Sequence, residues 1–241
     1  MTEATSRGAV NFEAFADAET LDTAAAALIA ASLRHGLDAR GVASLIVTGG
    51  RTPSGIYDRL ARTPLAWEHV EITLSDERCI DSRSPESNER LVRDHLLQRN
   101  AACAHFIPLL SFESKPEECI SNVERRLAAM HWPMDLVLLG MGEDGHIASL
   151  FPDSPVLSAA LDTRSHRRCI GVPDGKPAPI QLRLSLTLRA LLDTRAILIV
   201  ATGNAKRHIF EEALTMDRFD VVPIAALLHH SRAPIRFLWA P

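Results

Sequence analysis

Cysteine is scarce in this chain of 241 residues, and its four copies are scattered rather than clustered. They stand at Cys79, Cys103, Cys119 and Cys169. No two of them have CxxC spacing, so neither a zinc site nor a disulfide framework is indicated. Isolated thiols of this kind are typical of a reducing compartment, and we expect a cytoplasmic protein.

A strong charge imbalance and long apolar runs are also lacking. The formal net charge is −4, which gives no reason to expect a nucleic-acid or anionic-membrane partner. The run Ala24–Leu33 is apolar but falls short of the about 20 residues that a membrane span needs. Residues 1–10 have no signal-peptide pattern, so we expect a flexible tail there and one domain over residues 11–241.

The sequence contains neither a GxSxG nucleophile elbow nor an HExxH zinc motif. Its most informative stretch is Met134–Pro155 instead. The apolar run Leu136–Leu139 predicts a buried strand, beginning near Met134, of the kind found in parallel sheets. Glycines at 140, 142 and 145 follow it and allow a sharp turn close to a ligand. Open α/β sheets bind ligands at such strand ends.

Asp144 and His146 lie among these glycines and suggest acid–base chemistry. Histidine is the side chain most easily poised near neutral pH, and a neighbouring carboxylate sets its tautomer. Two other interpretations stay open. The glycines also match GxGxxG, although Pro152 breaks the helix that a dinucleotide site needs. A metal site would require a third ligand that the sequence does not identify.

Two further strand ends are candidate phosphate sites. The predicted strand Val42–Thr48 runs into Gly49, Gly50 and Thr52 and then into a helix with Pro53 in its first turn. Free backbone N–H groups and the helix dipole favour an anion there, although a plain strand-to-helix turn would look the same. The strand Ala196–Ala201 is likewise followed by a helix with Lys206 in its first turn, a place where a cation opposes the helix dipole unless an anion intervenes.

Two polar segments complete the candidate residues. The predicted strand Val70–Leu74 runs into Asp76, Glu77 and Arg78, which form either a solvated turn or part of a site. The segment Gln181–Thr187 alternates as a half-buried strand, with Arg183 and Ser185 on one face.

Strands and helices alternate along almost the whole chain, which predicts an α/β fold with three layers and a mostly parallel, Rossmann-like sheet. The remaining elements are less distinctive. They are a first helix over 13–35, a helix over 88–99 capped by Ser87, a strand over 105–109, a helix over 116–130, a surface loop over 173–179 and an edge strand over 235–238.

Five segments together resemble 6-phosphogluconolactonases. In chain order they are TGGRTP, LSDERCIDSRSPESN, GMGEDGHIASLFP, RLSLTL and ATGNAKR, and the resemblance runs from Val42 to about Phe210. It implies a fold shared with glucosamine-6-phosphate deaminases. It also implies hydrolysis of 6-phosphoglucono-1,5-lactone to 6-phosphogluconate in the oxidative pentose phosphate pathway. We expect no cofactor, no metal, a sugar-phosphate lactone as the partner molecule, and a monomer or weak homodimer.

The resemblance also implies roles for individual residues. His146 would be the base that activates water, Asp144 would hold or polarise it, and Arg78 would lie over the sugar or its charged centre. Asp76 would contact sugar hydroxyls or support Arg78. The 6-phosphate would be held by Gly49, Gly50, Thr52, Arg183 and Lys206.

Two alternatives to this function are a related deaminase and a binding protein of another class with the same fold. Glucosamine-6-phosphate deaminases have AFNEPG after the histidine of the shared loop, and its acidic residue serves ring opening. This chain has Phe151-Pro152 in that region, which favours the lactonase. A sugar-phosphate sensor with the same fold would carry a DNA-binding module, and the chain has too little sequence before Val42 to hold one.

Overall fold

The computed structural model describes residues 8–50, 52–110, 116–173 and 182–241, with the side chains of 116–118 excepted. The predicted loop after Pro173 lies outside the described residues, as do the first seven residues of the predicted tail. The division into a tail and one domain therefore stays a prediction.

Ten strands and eight α-helices are found in the described residues. The strands are β1 (Val10–Ala14), β2 (Ala43–Val47), β3 (Val70–Leu74), β4 (Asp76–Arg78), β5 (His105–Ile107), β6 (Leu136–Gly140), β7 (Cys169–Pro173), β8 (Leu182–Leu186), β9 (Ile197–Thr202) and β10 (Ile235–Ala240). The helices are α1 (Ala18–Arg40), α2 (Ser54–Leu60), α3 (Asn88–His95), α4 (Pro116–Ala128), α5 (Leu157–Leu161), α6 (Leu188–Leu192), α7 (Asn204–Ala213) and α8 (Ile224–His230).

Seven strands form one parallel sheet in the order β1-β10-β9-β6-β2-β3-β5. All five residues of the interior strand β2 are buried, so both faces of the sheet are covered there. The predicted α/β fold with a mostly parallel sheet in three layers is confirmed. In the described part of the chain, no helix combines the length and apolar character that crossing a membrane requires.

The N-terminal region corrects two of the sequence predictions. The predicted helix over 13–35 begins only at Ala18, because the Asp17 side chain accepts a hydrogen bond from the Thr20 N–H and caps the helix there. The preceding residues form β1, which pairs in parallel with β10. The prediction of an edge strand at 235–238 is therefore wrong, since β1 covers that edge and β10 lies inside the sheet.

A second sheet, antiparallel and of three strands in the order β4-β8-β7, was not predicted. Its strand β4 is the charged segment that follows β3, and Arg78 of β4 pairs with Arg183 of β8. The segment is therefore a strand rather than a solvated turn. Ser87 caps α3 as predicted, but the helix ends at His95, and Arg99 has a positive φ of 52° that a continuing helix could not contain.

Candidate active site

A cavity of about 450 Å³ lies where the carboxyl ends of β2, β6 and β9 meet β4 and β8 of the second sheet. This is the edge at which open α/β sheets bind ligands. Its lining is mostly polar and includes Thr48, Gly49, Gly50, Thr52, Asp76, Arg78, Asn88, Gly140, Gly142, Glu143, His146, Arg183, Thr202 and Lys206.

A buried tyrosine supports the turn that follows β2. The Tyr57 hydroxyl donates to the carbonyl of Thr48 at 2.5 Å and accepts from its N–H at 3.1 Å. Burial raises the pKa of Tyr57, so the hydroxyl keeps its proton for this bond. A Cβ on Gly49 would lie 1.9 Å from Oδ1 of Asn88, and Gly50 has a φ of 93°. Both positions therefore require glycine.

Asp76 is buried, and its carboxylate is already engaged inside the protein. Oδ1 accepts from the Ser75 hydroxyl at 3.0 Å, and Oδ2 accepts from the Ser149 hydroxyl at 2.6 Å. Nη1 of Arg183 lies 3.7 Å from the same Oδ2. Asp76 therefore holds the Arg183 guanidinium, which is also buried for the most part, at the cavity wall.

Glu77 is a supporting residue that sequence reasoning did not assign. Its carboxylate accepts four hydrogen bonds, from the N–H groups of Arg78, Asn88 and Glu89 and from the hydroxyl of Ser87. It thereby ties β4 to the first turn of α3. Burial raises the pKa of Glu77 despite these bonds, because removing the carboxylate from water outweighs them.

Arg78 and Asn88 meet at the end of this connection. Nη1 of Arg78 donates to the Glu86 carbonyl at 2.6 Å and lies 3.5 Å from Oδ1 of Asn88. The Asn88 amide in turn donates to the carbonyl of Asp76 at 2.8 Å. Asn88 therefore positions the Arg78 side chain at the cavity. In the sequence, Asn88 directly follows the predicted helix cap Ser87, and this position could have indicated its place beside Arg78.

The loop after β6 joins Asp144 to His146. Oδ1 of Asp144 lies 2.5 Å from Nδ1 of the imidazole and 3.1 Å from the His146 backbone N–H. Burial alone would raise the pKa of Asp144, but the hydrogen bond and charge of His146 outweigh it, and the pKa is lowered. An ionised Asp144 favours a proton on Nδ1, which leaves Nε2 as the basic nitrogen.

Glycines set the shape of this loop. The Gly142 N–H donates to the carbonyl of His146 at 2.9 Å, which closes the loop on itself. Gly145 has a φ of 75°, and a Cβ there would lie 2.5 Å from Val222. Gly142 and Gly145, two of the three glycines that resembled a dinucleotide motif, therefore serve to fold the loop around the Asp144–His146 pair.

Lys206 reaches the cavity from α7, one turn after the strand end of β9. Among the residues that the structure describes, no carboxylate pairs with it. Its helix begins after Gly203, whose φ is 89°. A lysine at the positive end of a helix, without a partner in the described residues, is a cation available to an anionic ligand.

The structure thus brings the predicted site residues together. All of them line the cavity except Asp144, which lies behind His146. Their individual roles stay predictions. Sequence reasoning assigned no role to Asn88, Glu143, Thr202, Tyr57 or Glu77. Within the described ranges, no group of three or more His, Cys, Asp or Glu side chains is arranged to hold a metal ion.

Comparison with known proteins gives a consistent result. A 6-phosphogluconolactonase of Caulobacter vibrioides is 40% identical over 231 residues, which cover 96% of this chain and 97% of that protein. One of Pseudomonas aeruginosa is 37% identical over 90% of this chain and 89% of its own. The crystal structure of a 6-phosphogluconolactonase from Shewanella baltica superposes with a TM-score of 0.91 at 36% identity, covering 96% of this chain and 98% of the other.

A monomeric glucosamine-6-phosphate deaminase has a TM-score of 0.77 at 19% identity, covering 95% of this chain and 97% of its own, which shows a common fold and no more. The sequence model of the family described as glucosamine-6-phosphate isomerases/6-phosphogluconolactonase matches residues 16–239. On this match and on the relatives above, the chain belongs to the glucosamine-6-phosphate isomerase/6-phosphogluconolactonase family.

Proposed function

We propose that this protein hydrolyses 6-phosphoglucono-1,5-lactone to 6-phosphogluconate, a step of the oxidative pentose phosphate pathway. The names of its relatives support this activity. The observation that carries it is one cavity in which His146, hydrogen-bonded to Asp144 behind it, faces the same space as Arg183 and Lys206. A base and two cations in one space suit a substrate that is both an ester and a phosphate.

The chemistry is acyl transfer to water. With Nδ1–H bonded to Asp144, Nε2 of His146 takes a proton from water as the water oxygen attacks the lactone carbonyl. The carbonyl oxygen gains negative charge, and Arg78 is the cation placed to stabilise it. When the bond to the ring oxygen breaks, His146 returns its proton to that oxygen. The products are a hydroxyl group and a carboxylic acid, which ionises.

The phosphate would lie on the other wall of the cavity. The N–H groups of Gly49 and Gly50 and the hydroxyl of Thr52 supply directed hydrogen bonds, and Arg183 and Lys206 supply charge. Asp76 is engaged by Ser75 and Ser149, so its role in this proposal is to support the Arg183 guanidinium.

The activity is tested by following 6-phosphogluconate formation with the purified protein against the spontaneous hydrolysis of the lactone. We expect hydrolysis far above that background for the wild type and close to it for His146→Ala. Ammonia release from glucosamine 6-phosphate, measured in parallel, tests the deaminase reaction, and we expect none. Unchanged hydrolysis by His146→Ala would remove this residue from its role as the base.

The phosphate site is tested with two substrates. Lys206→Ala is expected to raise KM for 6-phosphoglucono-1,5-lactone about tenfold or more and to leave the KM for glucono-1,5-lactone nearly unchanged, because only the first substrate carries the anion. Arg207→Ala is the matched control, since this neighbouring cation pairs with Glu211 and lies over Phe12 and Trp239, outside the cavity lining. Equal effects of Lys206→Ala on both substrates would contradict the assignment.

A further inference from the structure

The segment after His146 folds back onto the imidazole. Ala148 has a positive φ of 50°, and the Leu150 N–H donates to the carbonyl of Ile147 at 2.9 Å, so the chain reverses within a few residues. This tight turn returns Phe151 to His146, and their ring centroids are 4.6 Å apart with an angle of 54° between the planes. That is the tilted geometry in which aromatic rings attract one another.

The same phenyl ring also contacts the arginine of the phosphate wall. Cζ of Arg183 lies over the Phe151 ring, 5.2 Å from its centroid, within the range of a cation–π contact. Arg183 also contacts Asp76 and the Ser149 hydroxyl, which is 3.5 Å from Nη1. Both of these supports are buried.

Phe151 itself does not line the cavity, although His146 and Arg183 both do. It therefore cannot be assigned a contact with substrate. Its two contacts nonetheless join the residue proposed to act on the lactone carbonyl to a residue proposed to hold the phosphate. A substrate that spans the cavity needs these two groups at a fixed separation.

We propose that Phe151 is a positioning residue that sets the separation between the His146 imidazole and the Arg183 guanidinium. The ring acts as a spacer that favours lactones carrying a phosphate at the matching distance. Binding of a phosphate at Arg183 then changes the environment of the His146 imidazole through its contact with the Phe151 ring. The kinetic part of this inference rests on the proposed lactonase activity, and the contact between the two sites does not.

The kinetic test compares variants that keep or remove the ring. Phe151→Tyr retains the aromatic face, whereas Phe151→Leu retains apolar volume without it. We expect Phe151→Leu to lower kcat for 6-phosphoglucono-1,5-lactone about tenfold, since misplacing a reacting group by a fraction of an ångström is costly. Its preference in kcat/KM for that substrate over glucono-1,5-lactone should fall by a similar factor. Phe151→Tyr should stay within about threefold of the wild type on both measures, because the ring contacts are kept.

A matched control comes from another arginine–phenylalanine pair. Arg93 lies over the ring of Phe106 with its Cζ 5.1 Å from the centroid, and neither residue lines the cavity. Phe106→Leu should therefore leave both kinetic measures unchanged. A purely structural role of Phe151 would lower activity on both substrates equally, in step with the folded fraction, and this outcome would overturn the proposal.

A second measurement does not depend on turnover. The ring resonances of His146 are followed by NMR while inorganic phosphate is added to the intact protein. We expect them to shift in the wild type and in Phe151→Tyr, and to shift at least several-fold less in folded Phe151→Leu. Equal shifts in Phe151→Leu, or none in the wild type, would overturn the coupling. A wild type that shows the shift but hydrolyses no lactone would instead count against the proposed function.

Discussion

A methyl group added at Gly142 would collide with both members of the Asp144–His146 pair. An ideal Cβ at this position lies 2.2 Å from Nδ1 of His146, 2.3 Å from its Cε1 and 2.4 Å from Oδ1 of Asp144. These are the atoms of the hydrogen bond that is proposed to set the tautomer of the base. Gly142→Ala therefore tests the geometry of the pair without removing either side chain.

The expected loss of kcat follows from how far the His146 imidazole must move away from the added methyl group. Ordinary van der Waals contact begins at 3.4 Å, so the imidazole has to retreat by about 1.2 Å from the added methyl group. A displacement of about 1 Å in a catalytic group costs about 100-fold in rate. We therefore expect kcat to fall about 100-fold, with little change in KM for the lactone.

Stability should change much less. Overpacking costs about 1–3 kcal/mol, and the loss of glycine's freedom in the unfolded chain returns about 0.4–1 kcal/mol. Half of the Asp144 side chain is exposed, so this part of the loop has room to yield. We expect the free energy of unfolding to fall by about 1 kcal/mol, far too little to unfold the protein.

The measurement is kcat by 6-phosphogluconate formation, alongside chemical denaturation. Gly171→Ala is the control, because its added Cβ would lie 3.5 Å from Cδ1 of Ile120, an ordinary contact on β7 away from the cavity. A kcat for Gly142→Ala within threefold of the wild type would refute the role of the pair. So would a fall in rate that only follows the folded fraction.

Three further predictions concern the supports of the site. Asp144→Asn should lower kcat about 100-fold or more, since an amide no longer fixes the His146 tautomer. Single-turnover rates measure this effect, and a much smaller loss would contradict the role of Asp144. Glu77→Gln should cost about 2–4 kcal/mol of unfolding free energy, because an amide cannot accept all four hydrogen bonds. The pKa of Glu77 is raised in the folded state, so ionisation of Glu77 destabilises the folded wild type. The difference in unfolding free energy between the wild type and Glu77→Gln should therefore narrow as pH rises from 4.5 through the raised pKa of Glu77. Chemical denaturation of both proteins at several pH values measures this difference, and a difference that widens with pH would contradict the prediction. Gly49→Ala should push Asn88 aside and raise KM about tenfold for the phosphorylated lactone, and an unchanged KM would contradict the tight packing.

The sequence is sufficient to predict an element of the fold where a single physical requirement decides its structure. The buried runs of β2, β3, β6 and β9 are present with small shifts at their ends, because a strand covered on both faces must be apolar throughout. Parallel strands end at one edge of the sheet, so the sequence alone predicts that the polar residues after them share one cavity.

Prediction failed where an element depends on a distant partner. β1 has a mixed burial pattern and becomes a strand because β10 offers an edge to pair with. β4 is three charged residues, and its pairing with β8 is what extends them. The role of Glu77 depends on the N-cap of α3, Ser87, lying within hydrogen-bond distance of its carboxylate from ten residues further along the chain, and no local sequence pattern records this.

The pairing of β1 with β10 also bears on how the chain folds during synthesis. The Glu13 carboxylate accepts from Arg236, a partner 223 residues away, so β1 has no pairing partner until β10 has been synthesised. α1 can form early from local contacts, whereas β1 cannot pair with β10 while the intervening strands are being synthesised. Pairing between segments this far apart in sequence is slow, so we expect the contact between β1 and β10 to form late in folding.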